Sequence, residues 1–179
     1  LLTGRFIYDY DKGCDVPYNY EFIIDDEEKI QAQVFDASSP GTISFKRFDF
    51  DKHKTDLYVL MFSISESKSF LYIRKLLEHF VMLKSKNILV VEPIAIIANK
   101  SDTSHFREVK KEDVEGLVEQ FQGSLLLRYF GEISSIKDDV RRVFLEMFDW
   151  SRDSRTQLSQ HSSRQDSFEE QDISNSRSN

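Results

Sequence analysis

Cysteine occurs once in the 179 residues, at Cys14, so no disulfide can form within the chain and a reducing, cytoplasmic setting is expected. Long apolar runs are missing too. None reaches the length needed to cross a bilayer, and no secretory leader is expected. There is no surplus of positive charge: 24 basic residues, scattered along the chain, face 31 acidic ones, for a net charge of −7. That balance argues against a nucleic-acid or anionic-membrane binder. The four histidines, His53, His79, His105 and His161, are too dispersed for a metal site. What remains is an ordinary globular composition, 40% hydrophobic and 31% charged, enough for one core and one domain.

Alternation carries the fold. Tyr18, Tyr20, Phe22 and Ile24 alternate with Asn19, Glu21 and Asp25, and Ile30 to Phe35 repeats the period of two. An acidic turn around Glu27 separates the runs, which predicts an antiparallel pair. Leu57 to Ser63 reads as a buried strand; Phe70, Ile73, Leu77 and Phe80 then follow at helical spacing after a serine-rich start suited to capping. Val114, Leu117, Val118 and Phe121 mark a second helix, which Gly123 is expected to end. Leu125 to Ile133 is a further strand. Val140, Val143, Phe144, Met147 and Phe148 make a last helix, introduced by the capping-box-like Ser135-Ile-Lys-Asp138. Strands alternating with helices predict an α/β fold, a mostly parallel sheet with helices on both faces. The folded part is expected over residues 1–150. Residues 151–179, rich in Ser, Arg and Gln, hold too little apolar surface to offset the entropy of ordering and are expected to form a disordered tail.

The run Ile94-Ala-Ile-Ile-Ala98 shows no polar alternation, as in a strand buried on both faces, and stops abruptly in Asn99, Lys100, Ser101 and Asp102. Ligands of open α/β sheets bind outside the carboxyl ends of such strands. Asn, Ser and Asp are also common turn formers, so a plain polar turn is the competing reading. The order of motifs along the chain decides between them. Thr3-Gly-Arg-Phe-Ile-Tyr-Asp-Tyr-Asp11 comes first, then Val34-Phe-Asp36, Asn99-Lys-Ser-Asp102 and Glu132-Ile-Ser-Ser135. In this order and spacing, residues 1–150 resemble the Ras-like small GTPases. Within them, the run Thr3-Gly-Arg-Phe-Ile-Tyr-Asp-Tyr-Asp11 together with the lack of a lipidation cysteine looks most like the branch that is not prenylated.

The resemblance implies a P-loop NTPase-like, Ras-type fold, a guanine nucleotide (GTP or GDP) as ligand and Mg²⁺ beside it. Asp102 matches the carboxylate that accepts from guanine N1 and the exocyclic amine, donors that adenine does not present together. Lys100 matches the lysine that covers the base plane and ties the base loop to the phosphate loop, and Asn99 the amide that braces those loops. Phe6 matches an aromatic packed edge-on to the base. Ser134 and Ser135 match the loop that supports the guanine carbonyl, with Ser135 where the family usually has alanine. Asp36 matches the carboxylate on the metal side. The segments 8–20 and 37–50 correspond to switch regions, expected to contact protein partners. A monomer without a lipid anchor is expected.

Other positions depart from the pattern. No G-x-x-x-x-G-K-S/T motif occurs in residues 1–179. The resemblance places it upstream of Leu1, together with the first strand and most of the first helix, whose last turn Leu1-Leu-Thr-Gly4 would be. The switch threonine aligns with Gly13. The family's D-T-A-G-Q reads Asp36-Ala-Ser-Ser-Pro40, with Ser39 for the glycine that senses the γ-phosphate and Pro40 for the glutamine that orients water. These losses predict weak or absent hydrolysis. The alternative reading is a nucleotide-free pseudo-GTPase interaction module. A phosphoacceptor receiver domain, with Asp36, Ser63 and Lys100, fits poorly, because the required acidic pair is missing and Asp102 goes unused.

Overall fold

A computed structural model of the chain describes residues 18–23, 29–35, 55–86, 93–138 and 140–157. Their order is β1 (Tyr18–Ile23), β2 (Lys29–Val34), β3 (Tyr58–Ser63), α1 (Ser67–Ser85), β4 (Ile94–Asn99), a 3₁₀ segment (Ser101–Phe106), α2 (Lys111–Phe121) and β5 (Leu127–Glu132). A final helix, α3, spans 140–157. Among the described residues no helix is long and apolar enough to cross a membrane.

Parallel β3, β4 and β5 form a sheet with β4 in the centre, and β1 and β2 form a separate antiparallel pair. Strand parity sorts the apolar side chains into two cores. Leu60, Phe62, Ile96 and Ala98 face α1 and α2, packing on Phe70, Ile73, Leu77, Phe80, Val114, Leu117 and Phe121. Val59, Met61, Ala95 and Ile97 face the other way, onto Val140, Phe144 and Met147 of α3. That is why Ile94–Ala98 lacks alternation: all five side chains are buried, between helices on both faces. The hairpin joins the second core through Tyr20, Phe22, Ile30 and Ala32, while its outer face carries a polar ladder in which Lys29 and Gln31 bond Glu21.

One irregularity in β5 shapes the site. Between Ile96 and Ala98 the register with β5 slips by a residue, so that Ile96 opposes Tyr129 but Ala98 opposes Glu132. Gly131 sits in the bulge at φ +95°, a conformation open to glycine and strained for other residues. The extra residue reverses parity: Phe130 and Ile133 both reach the α3 core.

Four expectations need correction. First, Gly123 is not a left-handed cap. The helix ends at Phe121, whose carbonyl accepts from the N–H groups of both Ser124 and Leu125, and Gln122 keeps right-handed backbone angles. Second, no serine side chain caps α1. Its first free N–H, that of Ser67, is satisfied by the Glu108 carboxylate at 2.8 Å. Third, the reciprocal bonds before α3 centre on Ser134, not Ser135: Asp138 accepts the Ser134 N–H at 2.5 Å and the Ser134 hydroxyl accepts the Lys137 N–H at 3.3 Å. Fourth, α3 runs past 150. Ser151 is 2% exposed and donates to the Asp56 carbonyl at 2.9 Å, and Arg155 pairs with the Asp56 carboxylate, so order reaches 157. The rest of the expected tail, 158–179, lies outside the described residues.

Candidate functional site at the carboxyl end of β4

Strand β4 stops because Asn99 turns its own side chain on the backbone, its Oδ1 accepting the Lys100 N–H at 2.8 Å. Lys100 then adopts the left-handed region, φ 66° and ψ 35°, and its carbonyl receives both the N–H and the hydroxyl of Thr103, at 2.9 and 2.8 Å. This reversal brings Asp102 back over the end of the sheet. The loop leaving β5 runs beside it. Ile133 donates to the Ala98 carbonyl at 2.8 Å, and Ser101 donates to the Ile133 carbonyl at 3.0 Å, extending the β4–β5 ladder beyond the strands.

Two further bonds close the loops on each other. The Ser134 hydroxyl, on a residue 1% exposed, donates to Asp102 Oδ1 at 2.7 Å. The Ser135 N–H donates to Asn99 Oδ1 at 3.1 Å. The Asp102 carboxyl is held below the usual carboxylate range, chiefly by the Ser134 hydroxyl and in part by the nearby Lys137 and Lys100 ammonium groups. An ionised acceptor therefore stands at the strand end near neutral pH. The structure thus brings together Asn99, Lys100, Asp102, Ser134 and Ser135. Phe6 and Asp36 lie outside the described residues, as do the segments 8–17 and 37–50.

Several contacts that support the loops carry no signal in the sequence. Arg107 forms a two-bond fork with Glu132, and Thr103 reaches Ser65 at 3.3 Å. Glu108 both caps α1 and, with Val109, donates backbone N–H groups to the Ile64 carbonyl. These partners are tens of positions apart, and only the parallel register makes them neighbours.

The backbone of Lys100 yields a prediction. A left-handed residue with a Cβ costs about 1–2 kcal/mol, and glycine relieves that strain while giving back roughly 0.4–1 kcal/mol of chain entropy. Lys100→Gly is expected to be about 0.5–1 kcal/mol more stable than Lys100→Ala, the reverse of the usual order, in urea unfolding.

The described sheet is that of a parallel α/β protein, a class in which ligands bind outside the carboxyl ends of the strands, where these loops lie. A model of the Ras family matches residues 1–152, and the chain belongs to that family, as a Ras-like small GTPase of the Ras-type fold. It is 29% identical over 148 residues to the Ras-like protein family member 12 of Danio rerio, covering 82% of this chain and 54% of that protein. With the Ras-like protein family member 11B of Xenopus tropicalis it shares 33% over 117 residues, 62% of this chain and 45% of that one. The Ras-related protein Ral-B of Rattus norvegicus is 24% identical over 147 residues, 82% and 68% of the two chains. The chain therefore spans about half the length of the two Ras-like family members, at 54% and 45%.

Proposed function

We propose that this chain binds guanine nucleotide through Asn99, Lys100, Asp102, Ser134 and Ser135, and hydrolyses GTP weakly or not at all. The observation that carries the reading is the Asp102 carboxylate, ionised and held in place by the Ser134 hydroxyl. A fixed, charged acceptor with two oxygens suits the paired N1–H and 2-amino donors of guanine, a pair that adenine does not present. The Lys100 stem would cover one face of the base, and the Ser135 N–H would meet its carbonyl oxygen. Phe6 would pack at the base edge.

The phosphate side is supported by residue types alone. Asp36 would stand on the Mg²⁺ side, the metal supplying charge neutralisation for the phosphates when bound. Pro40 has no side-chain donor to orient water, and Gly13 and Ser39 do not supply the threonine and glycine contacts by which switch loops sense a γ-phosphate. Phosphoryl transfer depends on positioning and electrostatics, so turnover is expected to stay near the uncatalysed intrinsic rate of such folds. Protein partners through segments 8–20 and 37–50, a monomeric state and a cytoplasmic setting complete the proposal.

A second reading, a nucleotide-free interaction module, rests on one bond. The Ser135 N–H that would meet a guanine carbonyl is bonded to Asn99 Oδ1, a partner from within the two loops themselves. Calorimetric titration of GDP, GTP and ATP with Mg²⁺ separates the readings, on residues 1–179 and on a chain extended upstream. Guanine-selective binding is expected. Equal binding of ATP, or no binding by a well-folded extended chain, would sink the nucleotide reading and leave the interaction module.

A further inference from the structure

Helix α1 buries Phe70, Ile73, Leu77 and Phe80 against the sheet, yet Leu71 at 52% and Met82 at 39% exposure stay in water on its other side. Eleven positions, about three turns, separate them, so they stand on one line about 16 Å apart with Lys75 between. Lys86, exposed just after the helix, continues the line. The helix carries four basic residues, Lys68, Arg74, Lys75 and Lys84, against the single acid Glu78, in a chain of net charge −7. Arg74 is engaged by Gln120 and Lys84 by the Ser124 carbonyl, whereas Lys75 and Lys86 make no ion pair with a described residue. The other helices offer no such face. Helix α2 shows Glu112, Asp113, Glu115 and Glu119 to water, and the arginines of α3 are paired locally, Arg142 with Glu146, Arg152 with Asp149 and Arg155 with Asp56.

The chain itself holds a segment of opposite character. Residues 165–176 contain four acids, Asp166, Glu169, Glu170 and Asp172, and no basic residue, grouped around Phe168, the only aromatic after Trp150. Its tether starts at the right end of the molecule. Helix α3 reaches 157 beside Asp56, just ahead of β3, because Ser151 donates to the Asp56 carbonyl and Arg155 pairs with its carboxylate. The last turns of α1 lie at that same end of the sheet. The Phe80 ring is 5.1 Å from that of Tyr58, the first residue of β3, and Lys84 reaches Ser124, just ahead of β5. The eleven residues from 157 to Phe168 span at most about 36–40 Å, longer than α1 itself at about 28 Å, so Phe168 can pass round the end of the sheet to this face. The other acidic run, Asp25 to Glu28, has no aromatic and is tied at both ends into the hairpin.

We propose that the outer face of α1, formed by Leu71, Lys75, Met82 and Lys86, is a docking surface for the chain's own acidic segment 166–172, with the Phe168 ring on Met82 and Glu169 and Glu170 beside Lys75 and Lys86. One aromatic and a few exposed ion pairs make only a weak contact between separate molecules. The tether changes that, because it holds the segment at an effective concentration on the order of millimolar, at which weak contacts are populated. Met82 and Lys86 stand at the opposite end of the strands from Asp102, so the docked segment leaves the base site open, and the proposal holds with or without nucleotide binding.

The experiment is ¹³C-methyl NMR of the methionines, because the three in residues 1–179 sample separate places: Met82 on this face, Met61 and Met147 in the α3 core. Wild type and Phe168→Ser are compared in residues 1–179 and in the chain extended upstream, with Met82→Leu for assignment. Loss of the Phe168 ring is expected to shift the Met82 signal and to leave Met61 and Met147 in place. Raising NaCl from about 0.05 to about 0.5 M should move the wild-type Met82 signal toward its position in Phe168→Ser, since exposed pairs are screened. Lys75→Glu with Lys86→Glu should weaken the docking equilibrium about tenfold, and adding Glu169→Lys with Glu170→Lys should restore it. Lys75 and Lys86 are exposed and the tail substitutions follow residue 157, so these variants leave the core untouched. Should residues 1–179 alone fail to fold, the extended chain carries the same comparison. A Met82 signal unmoved by Phe168→Ser, or all three signals moving together, would overturn the proposal. A Met82 shift that depends on protein concentration would make a second copy the occupant, and one produced by phosphatidylcholine–phosphatidylserine vesicles equally in wild type and Phe168→Ser would make the face a lipid contact; either overturns it as well.

Discussion

Replacing Asp102 with asparagine is expected to cost about 100-fold or more in GDP affinity and to create affinity for xanthosine diphosphate that the wild type lacks. The sign follows from donors and acceptors. Guanine offers N–H groups at both N1 and the 2-position, and a carboxylate accepts both. Xanthine keeps the N1–H but carries an oxygen at the 2-position, so a carboxylate meets an acceptor while an amide can donate to it. The size follows from charge, since a hydrogen bond to an ionised partner is worth roughly 1.5–3 kcal/mol and two are altered at once. Asparagine is nearly isosteric and can still accept from the Ser134 hydroxyl, which donates to Asp102 at 2.7 Å, so the loops should stay assembled. The measurement is titration of both variants with guanosine, xanthosine and adenosine diphosphates. A uniform loss without a gain for xanthosine would mean that Asp102 only shapes the loop. No change at all would place the base elsewhere.

That Ile94–Ala98 is buried on both faces could be read from its missing alternation, whereas its polar stop alone left a plain turn open and only the order of the motifs pointed to a site there. The hairpin could be read from its period of two, since one face meets α3 and the other meets water. Sequence patterns fell short where a residue's partner is remote. The Arg107–Glu132 fork depends on a bulge in β5, and the start of α1 is satisfied by Glu108 from across the sheet rather than by a nearby serine. The cap before α3 went to Ser134 rather than Ser135, because Ser134 is the residue that also reaches Asp102. Polar composition put the end of order at 150, yet the polar Ser151 and Arg155 are the residues that bind Asp56. Composition registers how much apolar surface a segment has, not whether its few polar groups find fixed partners.

The second large effect concerns the hairpin. Phe22→Ala is expected to destabilise the chain by about 3–5 kcal/mol, against less than about 0.5 kcal/mol for the neighbouring Ile23→Ala. Phe22 is fully buried, and its ring lies 4.6 Å from that of Tyr20, 4.9 Å from Phe148 and 6.3 Å from Phe144. Ile23 is half exposed. Truncation at Phe22 removes a large ring and leaves a cavity between β1 and α3 that a hairpin of six-residue strands can close only by moving. Among the described residues no backbone ladder joins β2 to β3, so the hairpin is attached through this aromatic packing and not through the sheet. The loss should therefore be local first. In native-state hydrogen exchange, amides of β1 and β2 in Phe22→Ala should lose protection well before those of β3, β4 and β5, whereas a single cooperative loss across all five strands would show that the two sheets behave as one unit. The point bears on function because β1 holds Tyr18 to Tyr20, the end of the segment proposed to meet protein partners. A variant with its base site intact but its hairpin released should keep guanine binding and lose those partners, which separates the two halves of the proposed function in one molecule.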